Sequence, residues 1–259
     1  VTVNPPAVTS GSIDIKSTPA GAKVYLDGED TDFITPIVLT NISAGTHTVK
    51  LDLYHYKIME QAGILVTAGE TTNLNWALTY APQLTYTLQP GSEGKDADVG
   101  QHYPDMNTGD FADLYVGYDG GGNYRTYLEF DLSPNPLPAG AVVTYTDLRL
   151  YQFYGSGTIS VGAYQVTSSW EENTITWNNQ PNSAASPEGI TTFGSAAGIW
   201  RSWFLHDLVR GWLDGSISNY GLLLKPTDES SNHSVAKFRS SDSSDASNRP
   251  CLKIYYYVP

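Results

Sequence analysis

Short runs rich in Val, Ile, Thr and Tyr follow one another along the chain, each closed by Gly, Pro, Asn or Asp. Ile13-Asp14-Ile15-Lys16 alternates apolar with polar residues, and so do Tyr127, Glu129 and Asp131 with Leu128, Phe130 and Leu132. Period-two alternation is the mark of a strand with one buried face. Lys23–Leu26 ends in the turn pair Asp27-Gly28, and the runs 62–66 and 71–78 bracket Ala68-Gly69-Glu70. Only residues 207–214 read as a helix. Asp207 stands as its cap, Leu208, Val209 and Trp212 share one face, and Gly215 stops it. Strands at about 8–12-residue spacing with turn signals between them predict an all-β chain built of sandwiches. No apolar run reaches the roughly 18–20 residues of a membrane-spanning helix.

Charge narrows the partners. Fourteen Lys and Arg stand against 27 Asp and Glu, a formal charge of −13. A surface this acidic repels phosphate backbones, which argues against nucleic-acid binding. The one cysteine, Cys251, leaves no intramolecular disulfide, and its place after Pro250 in a strand pattern reads as a small buried hydrophobe. A chain that starts at Val1 without a leader, poor in Cys and rich in Ser, Thr and Tyr, predicts an extracellular or cell-surface protein after signal-peptide removal.

The chain divides into an arm over 1–10, a small β-sandwich over 11–80, a short joint and a larger β-sandwich over 85–259. Residues 17–28, Ser-Thr-Pro-Ala-Gly-Ala-Lys-Val-Tyr-Leu-Asp-Gly, are followed by Thr35-Pro36 and by Gly45-Thr46-His47-Thr48-Val49. This series resembles the PEGA domain and departs from it at Tyr54-His55-Tyr56, where that family carries Gly-Tyr. The resemblance implies a surface-associated, non-catalytic module with no defined ligand. It makes His47 structural.

Beyond residue 84 five blocks occur in order: residues 125–132 (Arg-Thr-Tyr-Leu-Glu-Phe-Asp-Leu), 144–151, 164–181 with Trp170-Glu171-Glu172 and Trp177-Asn178-Asn179, 207–224, and Arg249-Pro250-Cys251-Leu252. Together they resemble the DNRLRE, or disaggregatase-related, family. That resemblance implies a jelly-roll sandwich with one short helix, found on secreted and surface proteins, some relatives being carbohydrate-binding modules. Membership of a family does not assign an activity.

Three sets of residues are candidates for function. Residues 91–120 hold seven carboxylates opposed only by Lys95. Crowded carboxylates invite a hard cation with oxygen ligands. Asp96 and Asp98 share one face of an extended segment, and Asp105, Asn107 and Asp110 close the loop, so these five are the candidate ligands of a structural Ca²⁺. Asp242 and Asp245 mark a second acidic loop. The alternative is a solvated acidic surface. Tyr103, Tyr118, Tyr124 and Tyr154 are candidate rings for stacking on sugars, whereas Trp170, Trp177 and Trp212 read as core. Val1, Val3 and Val8 form the candidate assembly arm. Its β-strand addition to a neighbour builds a fibre, because a head-to-tail contact does not close; the alternative is an arm lying on its own domain.

No nucleophile elbow and no H-E-x-x-H occurs; a glycosidase needs two carboxylates on opposite sides of a cleft, and the resemblance implies that Glu171 and Glu172 sit in a motif of non-catalytic modules. The chain is therefore expected to be non-catalytic. The leading expectation is a surface structural or adhesive protein that self-associates into a polymer. The alternative is a carbohydrate-binding module with a polysaccharide partner, and a weaker one is a polysaccharide-cleaving enzyme.

Overall fold

A computed structural model describes residues 9–230 and 234–258. Among the described residues the backbone is all-β with a single α-helix. It separates into two compact units that meet in sequence at Gln83 and Leu84.

The first unit holds β1 (Ser10–Thr18), β2 (Lys23–Leu26), β3 (Glu29–Ile34), β4 (Ile37–Ser43), β5 (Gly45–Asp52), β6 (Met59–Val66) and β7 (Thr71–Ala77). They form a three-stranded sheet, β4-β1-β7, and a four-stranded sheet, β3-β2-β5-β6. Ile13 and Ile15 of β1 turn inward to meet Val24, Val49 and Leu51, as the alternation of each strand requires. Asp27 (φ 52°) and Gly28 (φ 91°) supply the two left-handed residues of the β2–β3 hairpin. Strand β3, Glu-Asp-Thr-Asp-Phe-Ile, lies outside the strands expected from sequence. It is an exposed edge, so no buried face imposes alternation on it.

The second unit holds β8 (Leu84–Leu88), β9 (Lys95–Gly100), β10 (Asp113–Tyr118), β11 (Asn123–Glu129), β12 (Val142–Gly155), β13 (Ile159–Gln165), β14 (Gly189–Phe193), β15 (Ile199–Phe204), α1 (His206–Asp214), β16 (Leu222–Pro226), β17 (Val235–Arg239) and β18 (Cys251–Tyr257). These strands join in one sheet, β14-β13-β16-β11-β10-β17-β12-β18-β8, with β9 on β11 and β15 on β12. Strand β12 pairs with β18 through Val142–Arg149, with β15 through Asp147–Gln152 and with β17 from Gln152 onward. The sheet curls over a core drawn from nearly all its strands. Trp203, Phe193 and Phe238 pack edge to face at its centre, with ring centroids 5.8–5.9 Å apart. The Trp203 indole N–H is satisfied by the Val161 carbonyl at 2.8 Å.

Helix α1 lies on the core through Leu208, Val209 and Trp212, and Gly215 (φ 79°) ends it as expected. Its start differs from expectation. Asp207 is already helical and Leu205 occupies the cap position without a side-chain bond. Glu188, from the loop before β14, accepts the N–H groups of Asp207 and Leu208 at 2.9 and 3.2 Å. A long-range carboxylate thus does what a local cap does elsewhere.

Candidate functional site

Asp96 and Asp98 leave β9 on one face, as expected, while Ala97 and Val99 leave on the other. Both carboxylates are buried, at 3 % exposure. Asp96 Oδ2 accepts the Ser241 N–H at 2.9 Å, whereas Oδ1 is buried without a hydrogen-bond partner. Burial pushes the Asp96 carboxyl up to about 7; Ser241 pulls it down, and Glu172 and Asp242 push it further up. Asp98 is likewise pushed to about 7 by burial, against hydrogen bonds from Thr108 and the Tyr115 N–H.

The rest of the expected cation set goes elsewhere. Asp105 is exposed and accepts from Asn178 Nδ2 at 2.8 Å. Asn107 donates to the carbonyls of Glu172 and Ile175 at 2.6 and 2.8 Å, and its own oxygen takes the Gly109 N–H. It therefore staples two loops together. Asp110 is exposed. The acidic neighbours of Asp96 are Glu172, whose Oε1 accepts the Asp96 N–H at 2.9 Å, and Asp242. Among the described residues no group of three His, Cys, Asp or Glu side chains is placed to hold a metal ion.

The four tyrosines also part company. Tyr103 is exposed and packs edge-on against His102. Tyr124 is buried at 8 %, and its hydroxyl donates to Asp119 Oδ2 at 2.9 Å, so it offers no stacking face. Tyr118 and Tyr154 do line a common hollow. Trp170 and Trp212 are buried as expected, whereas Trp177 is half-buried beneath the Arg125 guanidinium at 4.6 Å. Val1, Val3 and Val8 lie outside the described residues.

The surface with most chemistry is the outward face of β10, β17 and β12, of which the sequence reading named only Tyr118 and Tyr154. Ala236 and Phe238 turn into the core, so Lys237 and Arg239 turn out. Leu114 and Val116 turn in, so Asp113 and Tyr115 turn out. The register sets Tyr115 beside Lys237 and Asp113 beside Arg239. Lys237 Nζ donates to the Tyr115 hydroxyl at 3.1 Å and lies 4.4 and 5.0 Å from the Tyr115 and Tyr154 ring centres. Arg239 Nη1 donates to Asp113 Oδ1 at 2.6 Å, and its guanidinium lies 3.9 Å over the Phe153 ring.

A register shift between Gln152 and Tyr154 in the pairing of β12 with β17 makes this arrangement possible. One extra residue lets consecutive side chains escape strict alternation. Gln152 stays wholly buried while Phe153 and Tyr154 both reach the surface. The Gln152 amide holds the shift in place: it donates to the carbonyls of Tyr154 and Gly194 at 3.2 and 3.1 Å and accepts from Arg201 Nε at 2.6 Å. Gly117 (φ 122°) is needed where β10 meets β17, because a Cβ there would lie 2.2 Å from the Ser234 carbonyl.

Two hollows result. One, of about 310 Å³, is walled by Tyr115, Tyr118, Asp119, Tyr154 and Lys237. The other, of about 410 Å³, is walled by Tyr151, Phe153, Arg239, Ser243, Asp245 and Asn248. Trp200 stands beside Tyr151, with ring centres 5.5 Å apart. Aromatic faces with polar hydrogen-bonding groups at their rims can stack on a sugar ring while reading its hydroxyls. A larger hollow, of about 450 Å³, lies among Ser168, Trp170, Glu171 and Asn179, but Trp170 is buried there and its indole N–H is taken by the Tyr220 carbonyl. It presents no ring to a ligand.

The sequence profile of carbohydrate-binding module family 96 matches residues 85–256, more than half of the chain. The chain belongs to carbohydrate-binding module family 96. The five blocks that resemble the DNRLRE family fall within this module, and the resemblance is corrected accordingly. The PEGA domain profile matches residues 10–82, in agreement with the motif read there. No curated protein matches the chain. Similar solved structures include a putative carbohydrate-binding protein from Bacteroides uniformis, 9 % identical, covering 89 % of this chain and 96 % of that one with a TM-score of 0.21. Another is a structure of carbohydrate-binding modules of the β-sandwich superfamily, 10 % identical, covering 92 % and 83 % with a TM-score of 0.16.

Proposed function

We propose that the family 96 module binds a polysaccharide, without catalysis, on the outward face of β10, β17 and β12. The observation that carries this reading is Lys237 standing between Tyr115 and Tyr154, bonded to a phenol rather than to a carboxylate. An ammonium held this way keeps donors for sugar hydroxyls or for the carboxylates of a uronate, and the two rings supply stacking surface. The module's family supports the choice of ligand class. It also supports the carbohydrate alternative over the filament expected from the arm. A partner of this kind suits work outside the cell or on its surface, where PEGA-type modules also serve.

Affinity electrophoresis of the whole chain through gels containing neutral or uronate polysaccharides tests the reading. At least one polysaccharide is expected to retard the chain, and Lys237→Met is expected to restore much of the lost mobility. A chain that runs freely in every gel, or a Lys237→Met chain retarded as strongly as the parent, refutes it.

A further inference from the structure

Phe153 and Tyr154 are neighbours in sequence, yet each floors a different hollow. Lys237 and Arg239 divide in the same way on β17. Residues two apart on a strand emerge on one face about 7 Å apart. The two hollows therefore adjoin along β17, on one continuous surface of the sheet. Each lies near the lower end of the roughly 300–1,000 Å³ range of small-molecule pockets, a size that suits one sugar with its substituents rather than a long chain.

Resting on the carbohydrate-binding reading above, we infer that the hollows are successive subsites for one glycan chain. The chain runs along β17, with one sugar against Tyr115, Tyr154 and Lys237 and a later one against Phe153, Tyr151 and Arg239. The two ends differ chemically. Lys237 has a phenol as its hydrogen-bond partner, whereas Arg239 is already bonded to Asp113. The Lys237 end accordingly offers an ammonium not bonded to a carboxylate, with Asp119 on the same wall as an acceptor, and anchors the ligand. The Arg239 end adds stacking on Phe153 and hydrogen bonds from the Ser243–Asp245 loop, and it engages only when the glycan is long enough to reach it. The shift at Gln152 sets the subsite spacing, because it is what brings adjacent rings to one face.

Partial hydrolysates of polygalacturonate and of β-1,4-glucan, fractionated from one to six sugars, provide the probes, with titration calorimetry of the whole chain as the readout. The affinity is expected to rise with length until both hollows are filled, by about tenfold or more over the shortest oligomer that binds, and then to level off. Phe153→Ala is expected to erase that rise while leaving the shortest binder unaffected. Tyr154→Ala is expected to weaken short and long oligomers alike. A parent chain that binds the shortest and longest oligomers of a series equally overturns the two-subsite inference and leaves the binding reading intact. Equal losses from Phe153→Ala at every length also overturn it. A parent chain that binds no oligomer of either series overturns both. Both side chains are at least partly exposed, so an unchanged melting temperature shows that each variant is folded.

Discussion

Asp96→Asn should change how the stability of the larger unit depends on pH. The Asp96 carboxyl is buried, and its pKa rises from the ordinary 3.8 to about 7, first through burial. Between those two values the folded chain keeps a proton that the unfolded chain has released. Stability is thus greatest at low pH within this window and falls as pH rises, by about 1.4 kcal/mol per pH unit for each such group. From pH 5 to pH 9 the Asp96 carboxyl alone removes about 3 kcal/mol, nearly all of it below pH 7.5. Asp98 contributes a second loss of the same sign. The groups facing Asp96 are Glu172 and Asp242, and Asp113 faces Asp98, all carboxylates that add to the effect. Asn keeps the shape and an oxygen for the Ser241 N–H but cannot ionise. Urea unfolding followed by tryptophan fluorescence suits the test, because five of the six tryptophans lie beyond residue 84. The Asp96→Asn profile should decline less steeply than the parent's between pH 5 and pH 9, while the raised carboxyls that remain keep part of the slope. Parallel profiles would refute the argument. The same titration examines the Ca²⁺ expected from the acidic stretch. A cation bound to the unpartnered Oδ1 of Asp96 holds that group ionised, flattens the parent's profile and leaves Asp96→Asn unmoved. Profiles that coincide with and without Ca²⁺ remove Asp96 as a ligand.

Trp203→Ala should destabilise the larger unit by roughly 3–5 kcal/mol, because it empties the space between Phe193 and Phe238 and orphans the Val161 carbonyl; a melting temperature within two degrees of the parent would contradict this. In the smaller unit His47 is held above its ordinary 6.5 by Asp27 and by the Ser43 carbonyl. This contribution is full below pH 6.5 and fades as pH climbs past the raised value. Its size is small, since Asp27 is half exposed. A ring titration by NMR should show a midpoint above 6.5 that drops in Asp27→Asn; an unmoved midpoint would argue that the pair does not couple.

Much of the architecture was legible because it depends on local rules. Alternation located β1 and β11, since a strand that buries one face must alternate. Gly215 and the Leu208–Trp212 face located the helix. The motifs of residues 17–49 were enough to recognise the PEGA module. Strands β3, β8, β9, β14 and β15 escaped. In β3 neither face is buried, and in β9 both are, its carboxylates included, so neither carries the half-buried pattern.

The functional surface was less legible. Asp96 and Asp98 do share a face, a consequence of strand geometry alone. Their neighbours Glu172 and Asp242 come from loops about 75 and 145 residues away, which no spacing rule connects. Tyr154 was a candidate by its type, but its ring reaches the surface only through the register shift that buried Gln152 holds open. Lys237 and Arg239 stood in plain alternation with Ala236 and Phe238, so their common outward face was available from sequence. What they meet there was not. Strand order is a property of the closed sheet, and it is strand order that sets β10, β17 and β12 side by side and gives Lys237 its two rings. Local sequence determined which side chains point away from the core; only the tertiary pairing of distant strands decided which of them stand together.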